Sequence, residues 1–298
     1  MLDQVLKSYL EHICGKTNVR ENVHLKTCTT FKIGGPARFF VKATTKTMLV
    51  KLISALNFIE YPYRVIGAGS NLLASDKGYD GVIIRLDFKE IIENQNFIYA
   101  DAGASFTSIV KKAEEWELGG LEWAYGIPGT IGGAIFGNAG AFGSCISDVV
   151  PIVDVLLNGE IVSMDTVACK FKYRESLFQR NRKYTILGAY FALERRDGDK
   201  IRALQQQYIT KRTQTQPSGP SAGSVFRNPP GNSAGAIIDK LGFRDTQIGG
   251  AVVSPKHANF IINEGGATAK DVTRLINKIK KRVKDAYGIS LKTEIETI

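Results

Sequence analysis

Tyr125-Gly-Ile-Pro-Gly-Thr-Ile-Gly-Gly-Ala-Ile-Phe-Gly-Asn-Ala-Gly-Ala-Phe-Gly143 is the stretch whose reading decides the fold. Seven of the eighteen residues 126–143 are glycine and one is proline, a composition that weakens helices and strands alike and suits backbone that must come close to something. Ile131, Ile135, Phe136 and Phe142 are interleaved with the glycines, which argues for a buried segment rather than a flexible glycine-serine linker. Two readings stand at this point. The glycines admit a large, flat, phosphate-bearing ligand, or they allow small residues to pack tightly at an inter-domain crossing.

Upstream lies a second glycine loop with its own setting. A strand-like stretch at residues 38–41, a helix over 47–56 with Met48, Leu52, Ile53 and Leu56 on one face, and a strand at 63–66 follow in β-α-β order. That order places the next loop, Gly67-Ala68-Gly69-Ser70-Asn71-Leu72-Leu73, at a strand's carboxyl end, where open α/β sheets bind ligands. The dinucleotide fingerprint is absent, because Leu72 stands at the third glycine position and a turn-rich run and another strand (82–86) follow in place of a long helix. The loop reads either as an anion-binding nest, with Ser70 and Asn71 as extra donors, or as a tight strand-to-strand turn.

Bulk properties narrow the function. At 298 residues the chain has room for two domains, or three subdomains. Lys plus Arg number 39 against 29 Asp plus Glu, a net charge of +10 spread along the chain, which suits an anionic small substrate as well as it suits nucleic acid. No apolar run approaches the ~20 residues that span a bilayer, and polar Asp3, Gln4 and Lys7 interrupt the N-terminal leucines, so a cytoplasmic protein is expected. Cys14, Cys28, Cys145 and Cys169, like His12, His24 and His257, are scattered, which predicts neither a disulfide framework nor a metal site.

Downstream, residues 149–157 and 161–164 flank Asn158-Gly159 and read as a β-hairpin, since that dipeptide supplies the positive φ angles of a tight turn. Arg174 lies among aromatic residues, either as a partly buried carboxylate ligand or in a surface salt bridge. The charged segment 194–200 marks the expected domain boundary, and a polar helix over 201–212 follows it. Gly219-Pro-Ser221-Ala-Gly223, with Asp239 and His257 behind it, matches a serine-hydrolase pattern. We reject the match because the residues before Ser221 are polar and broken by Pro217, where a nucleophile elbow needs an apolar strand. Short elements are expected at 233–241, 251–254 and 259–263. The clearest helix runs over 268–287, with a Thr268/Asp271 capping box, an apolar stripe of Val272, Leu275, Ile276, Ile279 and Val283, and Gly288 as its stop. Its lysines and arginines read as a solvated face, not as a nucleic-acid surface. The last ten residues alternate like a solvated edge strand.

Taken together, Thr30-x-x-Ile33-Gly-Gly-Pro-Ala37, residues 67–73, 126–133 with Asn138-Ala139-Gly140, Tyr173-Arg174-Glu175-Ser176, 221–226, Ile248-Gly-Gly-Ala251 and Leu291-Lys-Thr-Glu-Ile295 resemble the UDP-N-acetylenolpyruvoylglucosamine reductase family. The first three motifs occur more widely among flavin oxidoreductases of the vanillyl-alcohol-oxidase type; the last four in this order are specific. The resemblance covers nearly the whole chain. No inserted loop follows Ser176, which is similar to the shorter, type II branch.

The resemblance implies an α+β fold: an FAD-binding half of vanillyl-alcohol-oxidase type in two subdomains (1–80 and 81–197) and an α+β substrate domain (198–298). It implies that Arg174, Ser224 and Glu294 are catalytic. FAD is expected to be held non-covalently by Gly67, Ala68, Gly69, Ser70, Asn71, Gly129, Thr130, Gly133, Asn138, Ala139 and Gly140. The implied reaction uses NADPH to reduce the enolpyruvyl group of UDP-N-acetylglucosamine enolpyruvate to a lactyl ether, a step of peptidoglycan synthesis, and Lys211, Arg212 and Asn228 are candidates for holding the uridine diphosphate. Neither nucleic acid, membrane nor an obligate protein partner is expected. The alternative is another FAD-dependent oxidoreductase of this fold, acting on an alcohol or sugar.

Overall fold

The computed structural model describes residues 2–94 and 97–298. Two compact units emerge, each visited more than once by the chain. The first comprises Met1–Glu21, Phe39–Ala68 and Gly81–Lys211, the second Asn22–Arg38, Gly69–Asp80 and Arg212–Ile298. These units differ from the contiguous blocks 1–80, 81–197 and 198–298 expected above. Glu194–Arg195 lies inside the first unit, and the late division falls at 211/212. The reason is visible in the second core, where Phe31, Ile33 and Leu73 pack with Val225, Phe226, Ile238, Val253, Leu275 and Ile295. Burying those early apolar side chains draws residues 22–38 and 69–80 away from their sequence neighbours.

In the first unit, strands Val19–His24, Pro36–Ala43, Tyr79–Leu86 and Tyr63–Ile66 form a sheet in that order, the last two parallel from Tyr63↔Val82 to Ile66↔Arg85. Helix α1 (Leu2–Cys14) buries Leu6 and Leu10 but leaves Val5 exposed. Helix α2 (Lys46–Phe58) starts where Thr45 Oγ1 accepts from the Met48 N–H at 3.1 Å, and it buries Leu49, Leu52, Ile53 and Leu56. A second, antiparallel sheet runs in the order Glu160–Asp165, Ile152–Leu157, Thr185–Ala192, Phe97–Asp101, Ile91–Asn94. Its hairpin closes at Leu157↔Glu160 with φ of +51° at Asn158 and +88° at Gly159, the paired positive angles that the sequence called for. Helices α3 (Phe106–Glu115), α4 (Ile131–Phe136) and α5 (Leu177–Arg180) follow. The polar α6 (Gly198–Thr215) buries only Gly198, Ile201 and Gln205.

The second unit holds α7 (Ala234–Lys240), α8 (Ala269–Tyr287) and a three-stranded antiparallel sheet of Gln247–Ile248, Ala251–Val253 and Ile261–Asn263. The α8 capping box forms as read, Gly288 closes the helix at φ +67°, and the five-residue stripe is buried. Burying such aliphatic side chains contributes roughly 1.5–3 kcal/mol each, so the stripe is what holds α8 in the unit. One stabilising feature was not foreseen. The Asp76 carboxylate accepts from the N–H groups of Ala269 (2.7 Å) and Lys270 (3.1 Å), capping α8 from the turn-rich segment.

The C-terminus departs from the expected edge strand. Lys292 O accepts from Arg227 N–H and Glu294 N–H donates to Val225 O, but Glu296 N–H donates to Asn71 O, and Glu296–Thr297 pairs in parallel with Leu72–Leu73. The segment thus changes partner at Ile295. Leu291 and Ile295, which alternation puts on one face, are both buried, but Glu294 and Glu296 on the other face are half-buried, so that face is not the solvated edge expected.

Candidate active site

In the first unit two of the glycine segments converge. A Cβ on Gly67 would strike Thr130 Oγ1, so the glycine is required for the loop after Tyr63–Ile66 to lie against Thr130. Thr130 in turn caps α4, its Oγ1 accepting from the Gly133 N–H at 3.3 Å. The Ile131 and Gly132 amides donate to the carbonyls of Ala104 and Ala102, each at 2.9 Å. Helix α4 therefore keeps its first amides for the protein, and the donors this segment offers a ligand are those of Gly129 and Thr130. Gly129 has φ +143°, and a Cβ on exposed Gly133 would meet only Thr130 Oγ1, at 3.5 Å. Bare main chain beside a hydroxyl fits the pyrophosphate and flat ring of the expected FAD, and Gly67, Ala68, Gly129, Thr130 and Gly133 are the residues here that could hold it.

The remaining residues of that stretch serve another group. Arg174 occupies a two-residue turn in which Lys172 and Glu175 exchange backbone bonds (2.9 and 3.0 Å), and its own φ is +55°, a region that side chains disfavour. Its guanidinium donates from Nη2 to Gly140 O at 2.5 Å and from Nη1 to Asn138 O at 3.5 Å, and lies 5.4 Å over the Tyr173 ring. A Cβ on Gly140 would fall 2.9 Å from Arg174 Nη1 and 2.8 Å from Cys145 Cβ. The Asn138 carboxamide, buried at 4% exposure, donates to Lys172 O (3.0 Å) and accepts from Ser147 N–H (3.1 Å). The Ala139 amide donates to Ala134 O at 2.8 Å. Of Asn138, Ala139 and Gly140, expected at the cofactor, the first and last also seat the arginine through their carbonyls. Ser176, fully buried, holds the far side of the turn by donating to Phe136 O at 2.6 Å.

In the second unit Ser224 and Glu294 lie on neighbouring segments. Phe226 pairs with Thr293 and Ser224 with Phe260, both antiparallel, and Glu294 N–H donates to Val225 O at 2.8 Å. Asn71 reaches Glu294 from 223 residues away, its Nδ2 donating to the Glu294 carbonyl at 3.1 Å. The loop that sequence assigns to the cofactor therefore also fixes the backbone of the candidate acid. Gly69 is buried with φ +67°, and a Cβ there would strike the Cys28 carbonyl and approach Thr29 Cα at 2.9 Å, so its glycine is required by residues 28–29. Ser70 is half-buried beside it.

Of the candidates for the uridine diphosphate, Lys211 lies over the Phe142 ring at 5.2 Å, and Phe142 stacks on Tyr208 at 4.9 Å in the first unit. In the second, burial lowers the pKa of Arg212, and exposed Asn228 spends its Oδ1 on the Ala234 amide at 2.9 Å, keeping its NH₂. The hydrolase pattern fails in space as in sequence: Asp239 pairs with Arg244, and His257 Nδ1 accepts from Asn259 N–H at 3.2 Å. Desolvation lowers the His257 pKa. Sequence reading missed Asn259, whose carboxamide is buried against Phe226; an asparagine inside the apolar run 258–262 was the available signal. Among the described residues no group of three or more His, Cys, Asp or Glu could hold a metal, and no helix is long and apolar enough to cross a membrane.

Comparison with known proteins agrees with this division of labour. Residues 37–165 match the family model described as an FAD binding domain, and residues 214–298 match that of the UDP-N-acetylenolpyruvoylglucosamine reductase C-terminal domain. The UDP-N-acetylenolpyruvoylglucosamine reductase of Caldanaerobacter subterraneus is 41% identical over 298 residues, covering 99% of this chain and 98% of its own. That of Prochlorococcus marinus is 42% identical over 283 residues, covering 93% and 92%. The crystal structure of the Thermus caldophilus reductase superposes with a TM-score of 0.82 at 34% identity, over 94% of this chain and 99% of that one. Kinship at this level along the full length makes this chain a member of the UDP-N-acetylenolpyruvoylglucosamine reductase family.

Proposed function

We propose that this chain reduces the enolpyruvyl group of UDP-N-acetylglucosamine enolpyruvate to the lactyl ether of UDP-N-acetylmuramate, a step of peptidoglycan synthesis, using non-covalent FAD and NADPH. The observation that carries the reading is the Glu294–Val225 backbone bond, which joins the segment of the candidate acid to the segment of the candidate proton donor inside the stretch matched by the reductase C-terminal domain. A nucleotide-sugar substrate and NADPH place the reaction in the cytoplasm. Gly67, Ala68, Ser70, Gly129, Thr130 and Gly133 hold the cofactor. Lys211, Arg212 and Asn228 hold the diphosphate.

Bound FAD supplies a hydride, taken from NADPH, to the terminal methylene of the substrate's double bond. Charge then spreads from the adjacent carbon into the substrate carboxylate, and Arg174 binds that carboxylate with two parallel N–H groups, a geometry suited to an enolate. Glu294, carrying a proton, shares the charge by hydrogen bonding. The Ser224 hydroxyl gives its proton to the adjacent carbon, which completes the lactyl centre and leaves the hydroxyl to be reprotonated from water. Hydride and proton together account for the two hydrogens added.

The test is direct. Purified protein should be yellow, acid should release all the flavin, and anaerobic enzyme reduced by NADPH should be reoxidised only when the enolpyruvyl substrate is added. Flavin retained by the acid pellet would point to Cys145, the cysteine nearest the glycine-rich segments in sequence. Fast reoxidation by air alone would favour the alcohol or sugar oxidase instead.

A further inference from the structure

The segment bearing Ser224 is anchored on both sides, upstream where Pro220 O accepts from Asn263 N–H at 2.9 Å and Ser221 O from Thr30 Oγ1 at 2.7 Å, and downstream at Val225 and Phe226. Between them, Gly223 has φ +74° and no atom within 4 Å of where its Cβ would stand, so packing does not fix it there. Downstream, Val225 N–H donates to Asn259 O at 2.8 Å, Phe226 N–H to Asn259 Oδ1 at 2.9 Å, and Asn259 Nδ2 to Phe226 O at 2.8 Å. Asn259 is 4% exposed and Phe226 1%. One residue thus grips the two peptide units that follow Ser224, and across the same segment Val225 O holds the Glu294 amide. Removing the carboxamide would leave a buried N–H and a buried C=O without partners.

We propose that Asn259 is a positioning residue for the proton transfer: its carboxamide sets the place of Ser224, and through Val225 its register against Glu294. The proposal rests on the function given above. It follows from the reach a proton donor requires, about 2.6–3.2 Å to the accepting atom, and from the cost of misplacement, where about 1 Å loses on the order of 10²-fold in rate. A buried asparagine that served only stability could grip any strand; the carboxamide of this one grips Phe226, two residues after the serine, while its main-chain carbonyl takes the Val225 N–H.

The experiment compares wild type, Asn259→Ala and Asn259→Asp by rapid mixing and by amide hydrogen exchange. In Asn259→Ala, flavin content and reduction by NADPH should stay within about twofold, reoxidation by substrate should fall about 10- to 100-fold, and exchange should quicken most at Phe226, whose N–H loses its acceptor, and less at Val225 and Glu294, whose main-chain bonds remain. In Asn259→Asp the carboxylate still accepts from Phe226 N–H but repels Phe226 O, whereas the protonated acid can donate to it. Its reoxidation rate should therefore recover as pH is lowered, an arm the wild type lacks, and this variant also serves if the alanine protein does not fold. Equal loss in both half-reactions, tracking the folded fraction, would overturn the proposal, as would normal reoxidation despite fast exchange at Phe226. If wild type itself is not reoxidised by the substrate, the functional reading fails instead, and the exchange data alone then report whether Asn259 holds the Ser224 segment.

Discussion

Arg174 in the first unit is seated by main-chain carbonyls of residues 138 and 140, in a turn with left-handed backbone, whereas Ser224 and Glu294 in the second lie on segments gripped by the carboxamides of Asn259 and Asn71. The two kinds of seat fail differently. A carbonyl seat built on glycine is upset by added volume, because Gly140 has no room for a methyl beside the guanidinium. A carboxamide seat is upset by a lost hydrogen bond, because removing the carboxamide takes a partner from the peptide groups it holds.

The largest effect should come from Ser224→Ala, which removes the proposed donor outright. Reduction by NADPH should be near normal and reoxidation by substrate about 10²- to 10⁴-fold slower in rapid mixing. Ser221→Ala should leave both steps nearly intact. A stalled Ser221 variant would mean that the donor has been misplaced.

Next in size is Gly140→Ala. The methyl falls 2.9 Å from Arg174 Nη1, and a displaced guanidinium should cost turnover on the order of 10²-fold while FAD stays bound. Flavin loss in this variant would return Gly140 to the cofactor and break the contrast between the units.

Asn71→Ala probes the second kind of seat. Losing one buried or half-buried hydrogen bond costs ~1–3 kcal/mol, so reoxidation by substrate should slow about tenfold. Flavin content, measured by absorbance after acid release, should not change. A flavin-poor variant with normal reoxidation per bound flavin would assign Asn71's side chain to the cofactor.

The smallest effect concerns the thiols. Burial pushes Cys14 to about 11 and Cys169 to about 12, and the pKa of Cys145 is raised too, chiefly by desolvation. At pH 8 the first two should resist iodoacetamide in the native protein and react on unfolding, as mass spectrometry would read. Native labelling at Cys169 would show that the first core opens more readily than its packing implies.

What could be read in the sequence was what lies close along the chain. The Thr268/Asp271 box, the Gly288 stop and the Asn158-Gly159 turn need only a few neighbouring residues, and each formed as expected. Arg174 could be picked out by its motif, but its seat could not, since a left-handed arginine leaves no periodic signature. The Asn71–Glu294 and Asp76–Ala269 bonds join residues 223 and 193 apart, beyond any local pattern. The same distance effect misled the reading of the C-terminus, where alternation suggested one strand and the chain instead serves two partners in turn. Gly69 shows the limit of reading a glycine by type: a Cβ there would strike the Cys28 carbonyl, a reason for glycine that no local pattern shows.

The second core joins Phe31 and Ile33 to Leu291 and Ile295, nearly the whole length of the polypeptide apart. During synthesis its early strands emerge from the ribosome with nothing to pack on, and at ~5–20 residues per second they wait roughly tens of seconds for their partners. The first unit has its complete chain by Lys211 and can fold meanwhile. Emergence of Leu291 to Thr297 is then what completes the second unit, so a truncation ahead of Glu294 would leave the first unit's chain whole and cost the molecule Glu294 together with the strand that pairs with Leu72–Leu73.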